Sequence, residues 1–118
     1  MVNNQLHMLN ALLPISFVKI KKGIGSFLTF DAKVPEAHLW IYLSDWSIYR
    51  NNIFLLGCEN ENEIDYINVL CQLENKPLTK IKEDKNNQTI TFVFIDGYEL
   101  HICANLIEYD TKDELFML

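Results

Sequence analysis

Apolar positions recur along this chain at an offset of 61 residues, and that recurrence constrains the fold more than any other feature. With Leu12 set over Leu73, Phe17 falls on Leu78 and Lys19-Ile20-Lys21 on Lys80-Ile81-Lys82. The same offset sets Leu39-Trp40-Ile41 on Leu100-His101-Ile102, and Trp46 on Ile107. Upstream, Leu6 and Leu9 fall on Ile67 and Leu70. Between these anchors Ser26–Ala32 resembles Thr91–Gly97 after a four-residue shift in register. Recurrence over so much of a chain points to one supersecondary unit used twice. The expected organisation is one domain, 1–118, built from units 1–57 and 58–118, and 118 residues suit a single core.

Each unit reads as a helix followed by strands. In the second, Ile64, Ile67, Leu70, Cys71 and Glu74 follow helical spacing and suggest one apolar stripe. Asn60 with Glu63 resembles a capping box, and Glu61 and Glu63 suit the positive end of a helix dipole. Lys76-Pro77 stops the helix, because proline cannot continue it. A short strand, Leu78–Lys82, and a polar turn, Glu83–Asn87, come next. Thr89–Ile95 and Tyr98–Cys103 are β-rich runs joined by Asp96-Gly97, a pair that accepts the positive φ angles of a two-residue type I′ hairpin. In the first unit the expected strands are Phe17–Lys21, Ser26–Phe30 and His38–Leu43. Gly23 and Gly25 make its first turn, and Asp31–Ala37, with Pro35, a longer connection.

Alternation assigns sides to these strands. Val18/Ile20, Leu28/Phe30 and Leu39/Ile41/Leu43 form one apolar face, as do Ile90/Phe92/Phe94 and Leu100/Ile102. The opposite sides carry Trp40 and Tyr42 in one unit, and Val93, Ile95, His101 and Cys103 in the other. They are too apolar for a fully solvated face, so they are covered by core or by a partner. The expected fold is α+β: an antiparallel sheet of about six strands, curved or half-barrel, with two helices on it.

Chemistry finds little purchase. His7, His38 and His101 are scattered, and no P-loop, G-x-S-x-G, H-E-x-x-H or dinucleotide fingerprint is present. Gly23-Ile-Gly25 leads into a strand, whereas a phosphate loop opens a helix. His101 and Cys103 share a strand side, but burial explains both. Asp31 and Asp96 are read as turn residues, and Asp45 needs no catalytic role. Cys58, Cys71 and Cys103 are odd in number and lack C-x-x-C spacing, which fits reduced thiols in a cytosol. The expectation is no enzyme: no catalytic residue, no cofactor and no metal. No run approaches the ~20 apolar residues of a membrane span, and the start lacks the basic and apolar regions of a secretory signal.

Charge is where the halves part. Residues 1–59 carry four Lys and Arg50 against Asp31, Glu36, Asp45 and Glu59, a net of +1. Residues 60–118 carry five Lys against twelve acids, a net of −7. That balance argues against direct nucleic-acid binding, and Lys19/Lys21/Lys22 and Lys80/Lys82/Lys85 read as wet strand faces. Glu59, Glu61, Glu63 and Asp65 cluster at the helix start, and Glu108, Asp110, Asp113 and Glu114 near the end. Helix capping with solvation accounts for the first cluster and a frayed, soluble tail for the second; the functional reading is an acidic surface complementary to a basic protein, with Trp46, Tyr49 and Tyr109 as aromatic anchors beside it.

The run Lys22-Gly-Ile-Gly-Ser-Phe-Leu-Thr-Phe-Asp31, then Leu39-Trp-Ile-Tyr and Asp45-Trp46, resembles small bacterial immunity proteins of polymorphic toxin and contact-dependent growth inhibition systems. Ile90–Ile102 and Tyr109-Asp-Thr-Lys-Asp-Glu-Leu-Phe-Met117 are similar to the same group. Ala32 departs from the pattern, which has glycine after Asp31. The resemblance implies a cytosolic monomer that binds a cognate toxin C-terminal domain one to one. Such a toxin is often a nuclease and therefore basic, so an acidic inhibitor imitates its substrate's field. The competing expectation is a self-associating structural module, a homodimer through the Trp40/Tyr42 strand face.

Overall fold

The structure, a computed structural model, describes residues 7–23, 27–33, 36–41, 45–59, 62–84, 86, 88–103 and 116–117. Residues 7–10 are helical (α1). The strands of the first half follow: β1 (Lys19–Lys22), β2 (Leu28–Lys33), β3 (Glu36–Ile41), β4 (Trp46–Arg50) and β5 (Ile53–Gly57). The helix α2 (Glu63–Leu73) precedes β6 (Leu78–Asp84), β7 (Thr89–Phe94), β8 (Tyr98–Cys103) and β9 (Phe116–Met117).

The fold is α+β, but the strands form two sheets rather than the expected sheet of about six. One has the order β1-β2-β3-β9, antiparallel except for the short parallel pairing of β9 with β3. The other, antiparallel throughout, has the order β5-β4-β8-β7-β6. Neither is closed into a barrel. The halves of the chain are laced together, since β4 pairs with β8 and β3 with β9. Ile15 and Leu78 add a bridge, exchanging backbone hydrogen bonds of 3.2 and 2.7 Å.

A helical segment followed by three strands occurs twice. Adding 61 to the bounds of β2 gives those of β7, while the buried side of β2 (Leu28, Phe30, Ala32) matches Ile90, Phe92 and Phe94 only at an offset of 62. β3 and β8 keep 61, with Ala37, Leu39 and Ile41 answering Tyr98, Leu100 and Ile102. The four-residue shift expected between these stretches is therefore a shift of one, the smallest change that flips a strand's faces.

The β2–β3 connection is short, because Lys33 pairs with Glu36 and only residues 34–35 lie between. Asp31 is thus a strand residue opposite His38, not a turn residue. Val18 is exposed, not part of the apolar face. The helix is capped by Asn62 instead of Asn60: the Asn62 side chain accepts from the Ile64 N–H at 2.9 Å. Val93 pairs with Glu99, so the β7–β8 turn uses three residues, Ile95–Gly97, with positive φ at Asp96 and Gly97. A two-residue loop with left-handed backbone at both positions joins β4 to β5 instead. Arg50 pairs with Ile53 across Asn51-Asn52, whose φ angles of 51° and 67° fit a type I′ turn.

Buried residues of both sheets and both helical segments form one cluster, with Phe17, Phe30, Phe92 and Phe94 among its largest members. The Phe17 and Phe30 rings meet edge to face at 5.2 Å. Burying such a side chain stabilises by roughly 1.5–3 kcal/mol before the entropy of ordering it.

Candidate docking surface

α2 decides what the surface offers. Tyr66, Leu70 and Leu73 are buried, with Val69 half-buried, a complete stripe at i, i+3, i+4 and i+7. The Tyr66 ring packs edge to face on Trp46 at 6.1 Å, and its hydroxyl donates to the Cys58 carbonyl at 3.0 Å. These contacts turn the expected stripe outward: Ile64 is 63% exposed and Ile67 67%, with Cys71 exposed one turn on. Only Leu70 of that stripe reaches the core.

Around the two isoleucines stand acids. Glu63 and Asp65 occupy the first turn, where the helix dipole favours negative charge, and Glu59 precedes the Asn62 cap. Glu59 and Glu63 are exposed and Asp65 is half-buried. The result is an apolar pair with acids at the helix start on one side and, beside Ile67, the lysines of β1 across a groove.

The other expected contact residues fare differently. Trp46 is only 3% exposed and belongs to the core, because its strand position faces Tyr66; it is no surface anchor. Tyr49, three positions along β4, faces the other side of the sheet, away from α2 and the acids. There its ring lies 4.6 Å from His101 and 5.7 Å from Phe54, which is 54% exposed beside the exposed Ile53. Glu61, Glu108, Tyr109, Asp110, Asp113 and Glu114 lie outside the described residues. So does Tyr42, while Trp40 is half-buried with its ring 6.2 Å from Phe27.

His101 and Cys103 border a shallow depression of about 230 Å³ with Asp45, Ser47 and Thr89. The His101 Nε2 sits 2.9 Å from Glu99 Oε1 and its ring against Tyr49, so the imidazole is held by groups other than a thiol. Burial pushes the Cys58 thiol above its usual 9.0; a backbone hydrogen bond with Trp46 opposes this and the Asp45 charge adds to it. That direction disfavours the reactive thiolate. Among the described residues no three His, Cys, Asp or Glu side chains gather to hold a metal, and no helix is long and apolar enough to cross a membrane.

No family model, curated protein or solved structure matches the chain. The exposure of Ile64 and Ile67 was the feature alternation missed. The signal was present: Tyr66, Val69, Leu70 and Leu73 make a competing stripe as regular as the one chosen.

Proposed function

We propose that this chain is a cytosolic bacterial immunity protein that binds a cognate toxin C-terminal domain one to one, through the outer face of α2. The observation that carries the reading is the exposed Ile64/Ile67 pair on a helix whose first turn carries Glu63 and Asp65, with Glu59 just upstream. Burying each isoleucine against a partner supplies roughly 1.5–3 kcal/mol. The acids steer a basic toxin domain toward that patch, an effect that raises association rates by about 10–10³-fold at low salt. Binding over the toxin's substrate path is the mechanism; the chain contributes no catalytic group to it.

Co-expression with the toxin domain encoded beside this chain in its genome tests the reading. Wild type restores growth and elutes with the toxin as a one-to-one complex. Ile64→Ser with Ile67→Ser speeds dissociation and weakens the complex about 100-fold, in line with two lost apolar anchors. Glu59→Gln, Glu63→Gln and Asp65→Asn together slow association about tenfold and flatten its salt dependence. Absence of rescue by wild type would refute the immunity role, and unchanged binding by both variants would refute this face. In sedimentation the free chain stays monomeric. A dimer abolished by Phe54→Lys would instead establish self-association through β5.

A further inference from the structure

Among the described residues β1 has β2 as its one strand neighbour, and α2 lies along the other side. Between strand and helix runs a groove of about 490 Å³. Ile20, Tyr66, Ile67 and Leu70 give it an apolar lining; Lys19 and Lys21 stand exposed on the strand side, Lys22 lies with its Nζ 4.6 Å over the Tyr66 ring, and Glu63 and Glu74 stand on the helix side. The backbone of β1 is as informative as its side chains. Gly23 N donates to Phe27 O at 2.7 Å, which places that pair among the hydrogen-bonded rungs of the antiparallel ladder. Rungs alternate, so the N–H and C=O groups of Ile20 and Lys22 turn away from β2 and toward the groove. Ile20 confirms the direction. Its N–H donates to Glu74 Oε2 at 3.0 Å, the carboxylate standing where a neighbouring strand's carbonyl would be. Among the described residues the Lys22 N–H, one rung further and about 7 Å along, has no counterpart to Glu74.

We propose that this groove takes an extended acidic segment of a partner protein as an added strand on β1. The segment's backbone pairs with the Lys22 N–H and C=O, and its carboxylates lie beside Lys19 and Lys21. A strand presents alternate residues to opposite faces. The matching sequence therefore alternates acids, facing the lysines, with apolar residues that settle on Leu70 and Ile67. Strand addition of this kind draws affinity from main-chain bonds and specificity from alternate side chains. Its charge preference is opposite to that of the Ile64 face; the two sites share Ile67, so Ile64 is the position that tells them apart.

The test is a titration of the full chain, followed by ¹⁵N amide shifts, with the capped hexapeptide Val-Glu-Val-Glu-Val-Glu. Its lysine counterpart and a version methylated at alternate amide nitrogens are the controls. The acidic peptide shifts the Ile20, Lys22 and Gly23 amides saturably and slows hydrogen exchange at Lys22. Lys19→Glu with Lys21→Glu weakens binding at least tenfold, and the milder Lys19→Gln/Lys21→Gln variant weakens it in the same direction with the fold intact. Ile64→Ser leaves it unchanged, separating the groove from the toxin-docking face. Equal response to the lysine peptide, full binding by the methylated peptide, or competition by a short oligothymidylate would each overturn the proposal, the last in favour of simple polyanion binding.

Discussion

At the scale of single residues, the pair His38 and Asp31 links strand register to pH. The two face each other across β2 and β3, with Nδ1 2.7 Å from Oδ1, and Glu36 Oε2 lies 3.5 Å from Nε2. The hydrogen bond to Asp31 holds the imidazole pKa above its usual 6.5; partial desolvation opposes it, and the Asp31 and Glu36 charges add to it. A raised folded pKa means that the folded state binds the proton more tightly than the unfolded chain does. Its stabilisation is complete below pH 6.5 and disappears as pH climbs through the raised value. Both side chains are more than a third open to solvent, so the effect is that of a surface pair, under about 1 kcal/mol. Urea unfolding over a pH series crossing 6.5 should show a shallow decline on the alkaline side, and Asp31→Asn should remove most of it. Asp31 and His38 were both visible in the sequence, but their pairing depends on β2 reaching Lys33, and nothing local announces that.

At the scale of elements, two tight turns lock against each other. Asn51 N donates to Gly97 O at 2.9 Å, and Arg50 Nε donates to the Asp96 carbonyl at 3.3 Å. A Cβ on Gly97 would collide with Asn51 Oδ1, and the Gly97 φ of +82° already disfavours any side chain. Gly97→Ala should therefore cost roughly 1–3 kcal/mol in a urea titration. Asn52, at φ 67°, is exposed, and Asn52→Ala should cost about 1–2 kcal/mol from backbone strain alone. Equal costs would show that the packing of the two turns contributes nothing. The Asp96-Gly97 hairpin was legible because that dipeptide tolerates left-handed backbone, although Asn51 and Pro77 decide its length: Ile95 N donates to the Pro77 carbonyl at 3.1 Å. The β4–β5 hairpin passed unnoticed. Asn-Asn is a weaker turn signal than Asn-Gly, and a register shift between Ile48 and Tyr49 breaks the alternation expected of β5.

At the scale of the whole molecule, cross-half pairing makes one core from two sheets. Phe92 is fully buried on β7, with β6 on one side and β8 on the other. Phe92→Ala should remove about 3–5 kcal/mol, with tryptophan fluorescence and far-ultraviolet dichroism falling in one coincident transition. Separate transitions would mean that the sheets unfold independently. Folding also rearranges the charge. Along the chain each half carries five cations and the acidic excess belongs to the second, yet the structure sets Lys19, Lys21 and Lys22 across a groove from Glu63 and Glu74. A lengthwise asymmetry becomes a two-signed surface.

Local sequence was enough for the α+β class, the helix near 63–73 and the inward apolar residues of β2, β3, β7 and β8. Period-2 and period-3.6 patterns are local, and strands and helices with one apolar side have one way to bury it. Tertiary structure alone decided how strands sort into two sheets and which side of α2 faces in. That helix carries two apolar stripes, so its periodicity is degenerate. The choice falls to distant partners, the Trp46 ring and the Cys58 carbonyl, which give Tyr66 both a packing surface and a hydrogen-bond acceptor. Burying Tyr66 leaves Ile64 and Ile67 outside, and the proposed docking face is the consequence.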